Sequence, residues 1–137
     1  MKILTLIVRI LFGLMFVVFG LNGFLDFMPK PKEPPKGHAL EFFTALSATG
    51  YLRVVMALQL IGGVLVWSGR FLPLGLLVLG PIIVNILLFH IYIDRNGLER
   101  AIVTSALALF LFCRHWSAFA PAFRPYTPAK SNVPPSS

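Results

Sequence analysis

One stretch of this sequence, from Phe71 to Ile93, contains no Asp, Glu, Lys or Arg. Three further stretches are nearly as apolar and contain only a few charged residues: Ile3 to Leu25, Tyr51 to Gly69 and Leu98 to Phe119. A bilayer's hydrocarbon core of about 30 Å requires about 20 helical residues at about 1.5 Å each. Each stretch is long enough to cross a membrane once, and the sequence therefore predicts an all-α membrane protein, a bundle of four transmembrane helices.

The composition agrees with a membrane-embedded chain. Apolar residues make up 57% of the sequence and charged residues 12%, against about 25% charged in ordinary soluble proteins. At 137 residues, four spans leave no room for a separate soluble catalytic domain. We predict one transmembrane domain over residues 1–120 and a disordered, proline-rich tail over residues 121–137.

The connections between the predicted helices differ in length. Prolines end the first helix after Asp26, and within the long first loop the apolar residues from Ala39 to Leu46 fall mostly on one side at helical spacing, which predicts a short interfacial helix. Only Arg70 separates the second and third helices, so these should form a tight hairpin. The fourth helix has its uncharged part only from Ala101 to Cys113, and a chain of three spans with an interfacial fourth helix is the alternative.

The net charge of +7 does not indicate a nucleic-acid-binding protein. The Lys and Arg residues lie singly near the ends of the apolar stretches, as interfacial anchors do, rather than in one basic stripe. Six of them fall on each side of the predicted membrane, so the charge count does not fix the orientation. We expect both termini to lie in the cytoplasm. The five acidic residues all lie on the side opposite the termini.

The single cysteine, Cys113, excludes an intramolecular disulfide and a paired-cysteine redox motif. Metal binding is not expected, because His90 and Asp94 alone are too few ligands and the other two histidines lie elsewhere. Arg9, inside the first helix, shares a face with Gly13 and has two interpretations. It is either a guanidinium that binds an anion or a partner, or an arginine that extends to the membrane surface.

Polar residues recur in the half of the membrane nearest the first and third loops. Counted along the helices, Gln59 and Asn85 share a depth about 12 Å below that surface. Two further pairs are spaced i, i+4 on one helix face: Asn22 with Asp26, and His90 with Asp94. We predict that these six residues form a polar vestibule that binds a ligand, since polar groups facing lipid are costly. Alternatively, they only form hydrogen bonds between helices.

Three segments together resemble the DoxX family of small bacterial membrane proteins. The resemblance covers about residues 5 to 119 and is carried by Arg9-Ile-Leu-Phe-Gly13 before Phe19-Gly20-Leu-Asn22, by Gly62-Gly63 before Gly69-Arg70-Phe-Leu-Pro73-Leu, and by Pro81-Ile-Ile-Val-Asn85-Ile-Leu-Leu-Phe-His90. It implies four helices in the bacterial cytoplasmic membrane and an association with quinone-linked oxidation of sulfur compounds or with redox stress. Family members commonly carry a glutamate where this chain has Gln59, an amide that cannot ionise.

Two classes of function follow from the residues and the resemblance. In the first, the chain is a binding or assembly subunit of a membrane redox system, and its vestibule holds a quinone or a lipid-like ligand. In the second, it is a catalytic membrane subunit of a quinone-linked oxidoreductase acting on sulfur compounds. The expected partners are the lipid bilayer and a redox enzyme, and the formation of a homo-oligomer stays open. Whether the chain is itself an enzyme is also open at this point.

Overall fold

The computed structural model describes residues 1–129 of the chain, and within them every regular element is helical. The elements are α1 (Lys2–Leu25), α2 (His38–Ala48), α3 (Tyr51–Ser68), α4 (Leu72–Tyr92), α5 (Leu98–Arg114) and α6 (Trp116–Phe119), and then a 3-10 turn at Ala120–Phe123. Among the four longest helices, α1 packs against α3, α3 against α4, α4 against α5, and α5 against α1.

Three of these helices, α1, α3 and α4, are long and apolar enough to cross a membrane. Helix α5 has 17 residues and reaches membrane length only together with the segment Trp116–Phe123, which is bent from it by 77°. The prediction of an all-α chain with membrane-length apolar helices is thus confirmed for three helices, or four if the bent pair is one span. The fourth crossing stays a prediction.

Large apolar side chains cover the outside of the long helices. Leu11 is 60% exposed, Leu77 61% and Leu109 62%. A soluble monomer rarely exposes contiguous apolar patches larger than a few hundred Å². The surface is therefore suited to lipid rather than to water.

Helices α1 and α3 approach each other closely because glycines line the contact. A Cβ added at Gly13 would lie 2.7 Å from the backbone nitrogen of Trp67, and one at Gly20 would lie 2.7 Å from that of Leu60. The later residue of α1 contacts the earlier residue of α3, so the two helices are antiparallel. Small residues that let helix backbones approach are the usual contact of membrane helices.

The two neighbouring glycines of α3 contact different helices. Gly63 faces Val17 and the carbonyl oxygen of Gly13 in α1, whereas Gly62 faces the side chain of Leu79 in α4. Helix α3 therefore packs between α1 and α4. The core around it consists of buried apolar side chains from α1, α3, α4, α5 and α6, among them Phe12, Phe16, Val66, Leu72, Leu79, Leu111 and Phe119.

The helix predicted in the first loop is present as α2, and its interfacial position stays a prediction. Its aromatic residues Phe42 and Phe43 contact Phe89 near the end of α4, with ring centroids 5.1 and 5.2 Å apart. Ala39 is buried, while Leu40 and both phenylalanines of α2 are exposed. An exposed apolar side on a helix that contacts the ends of the spans is typical of an interfacial position.

After α5 the chain turns across the end of the helices. Phe119 is buried, and its ring centroid lies 4.6 Å from that of Phe112. Phe123 stacks on Trp116. The predicted disordered tail begins at Pro121, so its first residues belong to the 3-10 turn. Residues 124–129 have no regular structure, and the rest of the predicted tail lies outside the described residues.

Candidate functional sites at the two ends of the helices

The four long helices alternate in direction and so define two ends. At the terminal end, α1 and α4 begin and α3 and α5 end; at the loop end, the directions are reversed. The six residues of the predicted vestibule belong to the half nearer the loop end.

Asn22 and Asp26 hold the chain where α1 ends. The Asn22 side-chain oxygen accepts a hydrogen bond of 2.8 Å from the backbone N–H of Met28. Asp26 has a left-handed backbone at φ 46°, its N–H donates to the Asn22 carbonyl oxygen, and its exposed carboxylate lies 3.5 Å from the Lys30 ammonium. Both residues therefore stabilise the turn out of α1.

Gln59 and Asn85 differ in burial. Gln59 is 7% exposed and belongs to the buried face of α3, with Gly62, Gly63 and Val66. Asn85 is exposed, and its Nδ2 donates to the Pro81 carbonyl oxygen one turn earlier in α4 at 3.2 Å. Gln59 is therefore buried among the helices, whereas Asn85 is on the outer surface of α4.

His90 and Asp94 do interact, though through the backbone. The Nδ1–H of His90 donates to the main-chain carbonyl oxygen of Asp94 at 2.9 Å, since a carbonyl oxygen can only accept. The Asp94 carboxylate instead accepts from the N–H of Asn96. The ring of His90 also lies against Gly97, so the pair closes the turn between α4 and α5.

Two further polar residues of this half, Thr104 and Ser105, donate to carbonyl oxygens four residues earlier in α5. The hydrogen bonds found for the vestibule candidates are thus local to one helix or turn. Of the six candidates, Asn85 alone lines one of the two clefts described below.

Asn85 instead lines a groove between α3 and α4, with a volume of about 420 Å³. Apolar side chains form most of its wall, and Asn85 and Tyr51 contribute the polar groups. The lining residues are Tyr51, Val55, Leu58, Val78, Pro81, Ile82, Asn85 and Ile86. Because Leu58, Tyr51 and Asn85 are exposed, the groove opens on the outer surface of the helices.

A second cleft, of about 400 Å³, lies at the terminal end between the start of α1 and the end of α5. It is lined by Lys2, Thr5, Leu6, Arg9, Arg114 and His115. The Nε of Arg114 donates to the Thr5 hydroxyl at 3.3 Å, which joins the two helices. The Nδ1–H of His115 donates to the Leu111 carbonyl oxygen at 2.9 Å and caps the end of α5.

Arg9 enters this cleft from the buried side. It precedes Phe12 and Gly13 on the inner face of α1, and its guanidinium contacts Gly69, whose backbone has φ 74°. Its Nε is buried and has no hydrogen-bond partner among residues 1–129. The sequence pattern puts Arg9 on the same face as Gly13 but gives no link to Arg114, because the two arginines lie at opposite ends of the chain.

The described residues contain no group of three or more His, Cys, Asp and Glu side chains that could hold a metal ion. Cys113, in the last turn of α5, is a free and exposed thiol. Comparisons with known proteins found no matching protein family, no matching curated protein and no matching solved structure.

Proposed function

We propose that this chain is a DoxX-like integral protein of the bacterial cytoplasmic membrane. It crosses the membrane four times with both termini in the cytoplasm, and it serves as a binding or assembly subunit of a membrane redox system. The groove between α3 and α4, rather than a closed vestibule, receives a quinone or a lipid-like ligand. The segments that resemble the DoxX family and the apolar surface of the helices support this proposal.

The observation that carries it is the position of the Asn85 amide in a mostly apolar, outward-facing groove. One of its N–H groups donates to the Pro81 carbonyl oxygen, which leaves the second N–H and the side-chain oxygen for a ligand. An amide exposed to lipid without partners is costly. A carbonyl group on an apolar ligand would accept a hydrogen bond from the free N–H and so offset the cost of exposing that group to lipid.

The size of the groove suits such a ligand. Small-molecule sites are typically concave, about 300 to 1,000 Å³ in volume and mostly apolar, with a few polar groups that fix orientation. The groove has a volume of about 420 Å³, and Asn85 and Tyr51 are its polar residues. Burial of the ring and tail of a quinone against Val55, Val78 and Ile82 would supply most of the affinity, and Asn85 would orient the headgroup.

The test is the binding of decylubiquinone, a short-chain quinone, to the purified protein in nanodiscs, measured by isothermal titration calorimetry. Asn85→Leu should weaken binding roughly 2- to 13-fold, the equivalent of one neutral hydrogen bond of about 0.5 to 1.5 kcal/mol. Val78→Trp should weaken it further by filling the groove.

Asn96→Leu is the matched control, because Asn96 is an exposed asparagine in the turn between α4 and α5 and does not line the groove. It should leave the affinity unchanged. Circular dichroism must show that all variants stay folded. Equal affinities of wild type, Asn85→Leu and Val78→Trp would contradict the proposal, as would the absence of binding to the wild-type protein.

A further inference from the structure

Positive charge is concentrated in the cleft at the terminal end. Lys2, Arg9 and Arg114 line it together with His115. The acidic residues are all at the loop end, in the turns or in the first turn of a helix: Asp26, Glu33, Glu41, Asp94 and Glu99. No Asp or Glu of the chain therefore lies near the three cations to balance their charge.

Helix dipoles do not balance these cations either. A helix end carries roughly half an elementary charge, negative at the C-terminus and positive at the N-terminus. At the cleft, the beginning of α1 opposes the end of α5, so their effects largely cancel. The end of α3, which Arg9 contacts at Gly69, is likewise opposed by the beginning of α4 at Leu72, so the three positive charges stay unbalanced.

The guanidinium of Arg9 packs against Gly69 and has an N–H group without an acceptor. A Cβ added at Gly69 would lie 2.6 Å from the Arg9 Cζ, so the two residues are in direct contact. The Nε of Arg9 is buried and has no hydrogen-bond partner in the described part of the chain. A buried N–H of a charged group that lacks an acceptor costs more than a neutral one, so an acceptor at this position would stabilise the protein.

We propose that the cleft binds a phosphate-type anion. Arg9 and Arg114 would supply planar guanidinium donors, which suit the oxygens of a phosphate group. The Thr5 hydroxyl donates its own hydrogen atom to the Met1 carbonyl oxygen and accepts from the Nε of Arg114, so it would position that guanidinium. Lys2 would add a point charge. This site lies at the opposite end of the helices from Asn85 and is independent of the proposed quinone site.

Two sources could provide the phosphate group: the headgroup of an anionic lipid and a free phosphate in solution. The first arm of the test places the protein in nanodiscs of phosphatidylcholine with and without one-fifth phosphatidylglycerol, and native mass spectrometry counts the phosphatidylglycerol molecules that the protein retains. The second arm measures the shift in melting temperature on adding inorganic phosphate, with sodium chloride at matched ionic strength as the reference.

Arg9→Gln and Arg114→Gln each remove one guanidinium from the cleft, and Arg9→Lys keeps the charge without the planar fork. Arg70→Gln is the matched control. Arg70 is an exposed arginine at the same end whose guanidinium lies over the ring of Phe71, outside the cleft.

We expect the two glutamine variants to lower the affinity for phosphatidylglycerol or for inorganic phosphate at least roughly tenfold, in line with the loss of a charged hydrogen bond. The affinity of Arg9→Lys should lie between those of the wild type and Arg9→Gln. Arg70→Gln should bind like the wild type. If Arg9→Gln does not fold, Arg114→Gln and Thr5→Val decide the question. The proposal would be overturned if neither probe bound. It would also be overturned if Arg70→Gln and the cleft variants lost the same affinity, because the positive charge at this end would then attract anions without a defined site.

Discussion

Gly63 lies so close to Gly13 that a Cβ added to Gly63 would stand 2.9 Å from the Gly13 carbonyl oxygen and 2.8 Å from the Val17 nitrogen. Both neighbouring atoms belong to the backbone of α1, so neither can rotate away. The contact between α1 and α3 therefore depends on the absence of a side chain at this position. In a membrane, where lipid is as apolar as a helix surface, such backbone contact is a main source of helix association.

Gly63→Ala should consequently destabilise the protein, by about 1 to 3 kcal/mol, because the added methyl group forces the two helices apart. Unfolding in a graded mixture of mild detergent and SDS, followed by circular dichroism, measures the change.

Gly80→Ala provides the control, since a Cβ at Gly80 in α4 would meet no atom of another helix within 4 Å in the described part of the chain. The same substitution there should change the stability by less than about 1 kcal/mol, because the helical preference of alanine is opposed by the contact of its Cβ with the ring of Pro81, the next residue. Two shifts of the same sign and size would show that the α1 to α3 contact adapts freely.

The positions of the long helices in the sequence could be predicted, because the length of an apolar stretch and the prolines after it are local features. An expected depth for Gln59 and Asn85 follows for the same reason, because each residue of a helix adds about 1.5 Å, and it stays a prediction. The faces on which the two residues lie could not be predicted. Successive residues of a helix with 3.6 residues per turn point in different directions, and the glycine contacts that decide which face of α3 is buried involve residues of α1 and α4.

The cleft at the terminal end could not be predicted from the sequence for a related reason. Thr5 and Arg114 form their hydrogen bond across 109 positions, and only the packing of α5 against α1 brings them together. The one local signal was Arg9 on the same face as Gly13 and Phe16. That signal fits an inward-facing cation, but it does not reveal that Arg114 enters the same cleft.

The turn between α4 and α5 should depend on the His90 ring rather than on the Asp94 carboxylate, because the hydrogen bond of His90 goes to the Asp94 carbonyl oxygen. His90→Phe should cost about 0.5 to 1.5 kcal/mol of unfolding free energy. Asp94→Asn should cost less than about 0.5 kcal/mol, since the asparagine oxygen can still accept the Asn96 N–H. A larger loss from Asp94→Asn than from His90→Phe would show that the carboxylate orients the histidine.

Four crossings with both termini in the cytoplasm predict a definite labelling pattern. In a Cys113→Ser background, single cysteines at Lys36 and Asn96 should react with a membrane-impermeant maleimide added to intact cells. A cysteine at Tyr126, which is 88% exposed, should react only after the cells are opened. If Asn96 and Tyr126 label from the same side, α5 does not cross; if Tyr126 labels from outside and Lys36 does not, the orientation is reversed.

The segment after α5 should contribute to the stability of the fold through Phe119, which is 5% exposed and packs against Phe112 at 4.6 Å. Phe119→Ala should cost about 3 to 5 kcal/mol, the usual loss for a buried phenylalanine. Phe123→Ala, four residues later, should cost less than about 1 kcal/mol, because that ring is 68% exposed and stacks only on Trp116 at the surface. Both variants are measured by SDS unfolding of the purified protein. Equal and small losses would show that the segment from Trp116 to Phe123 lies on the helices without being part of their core.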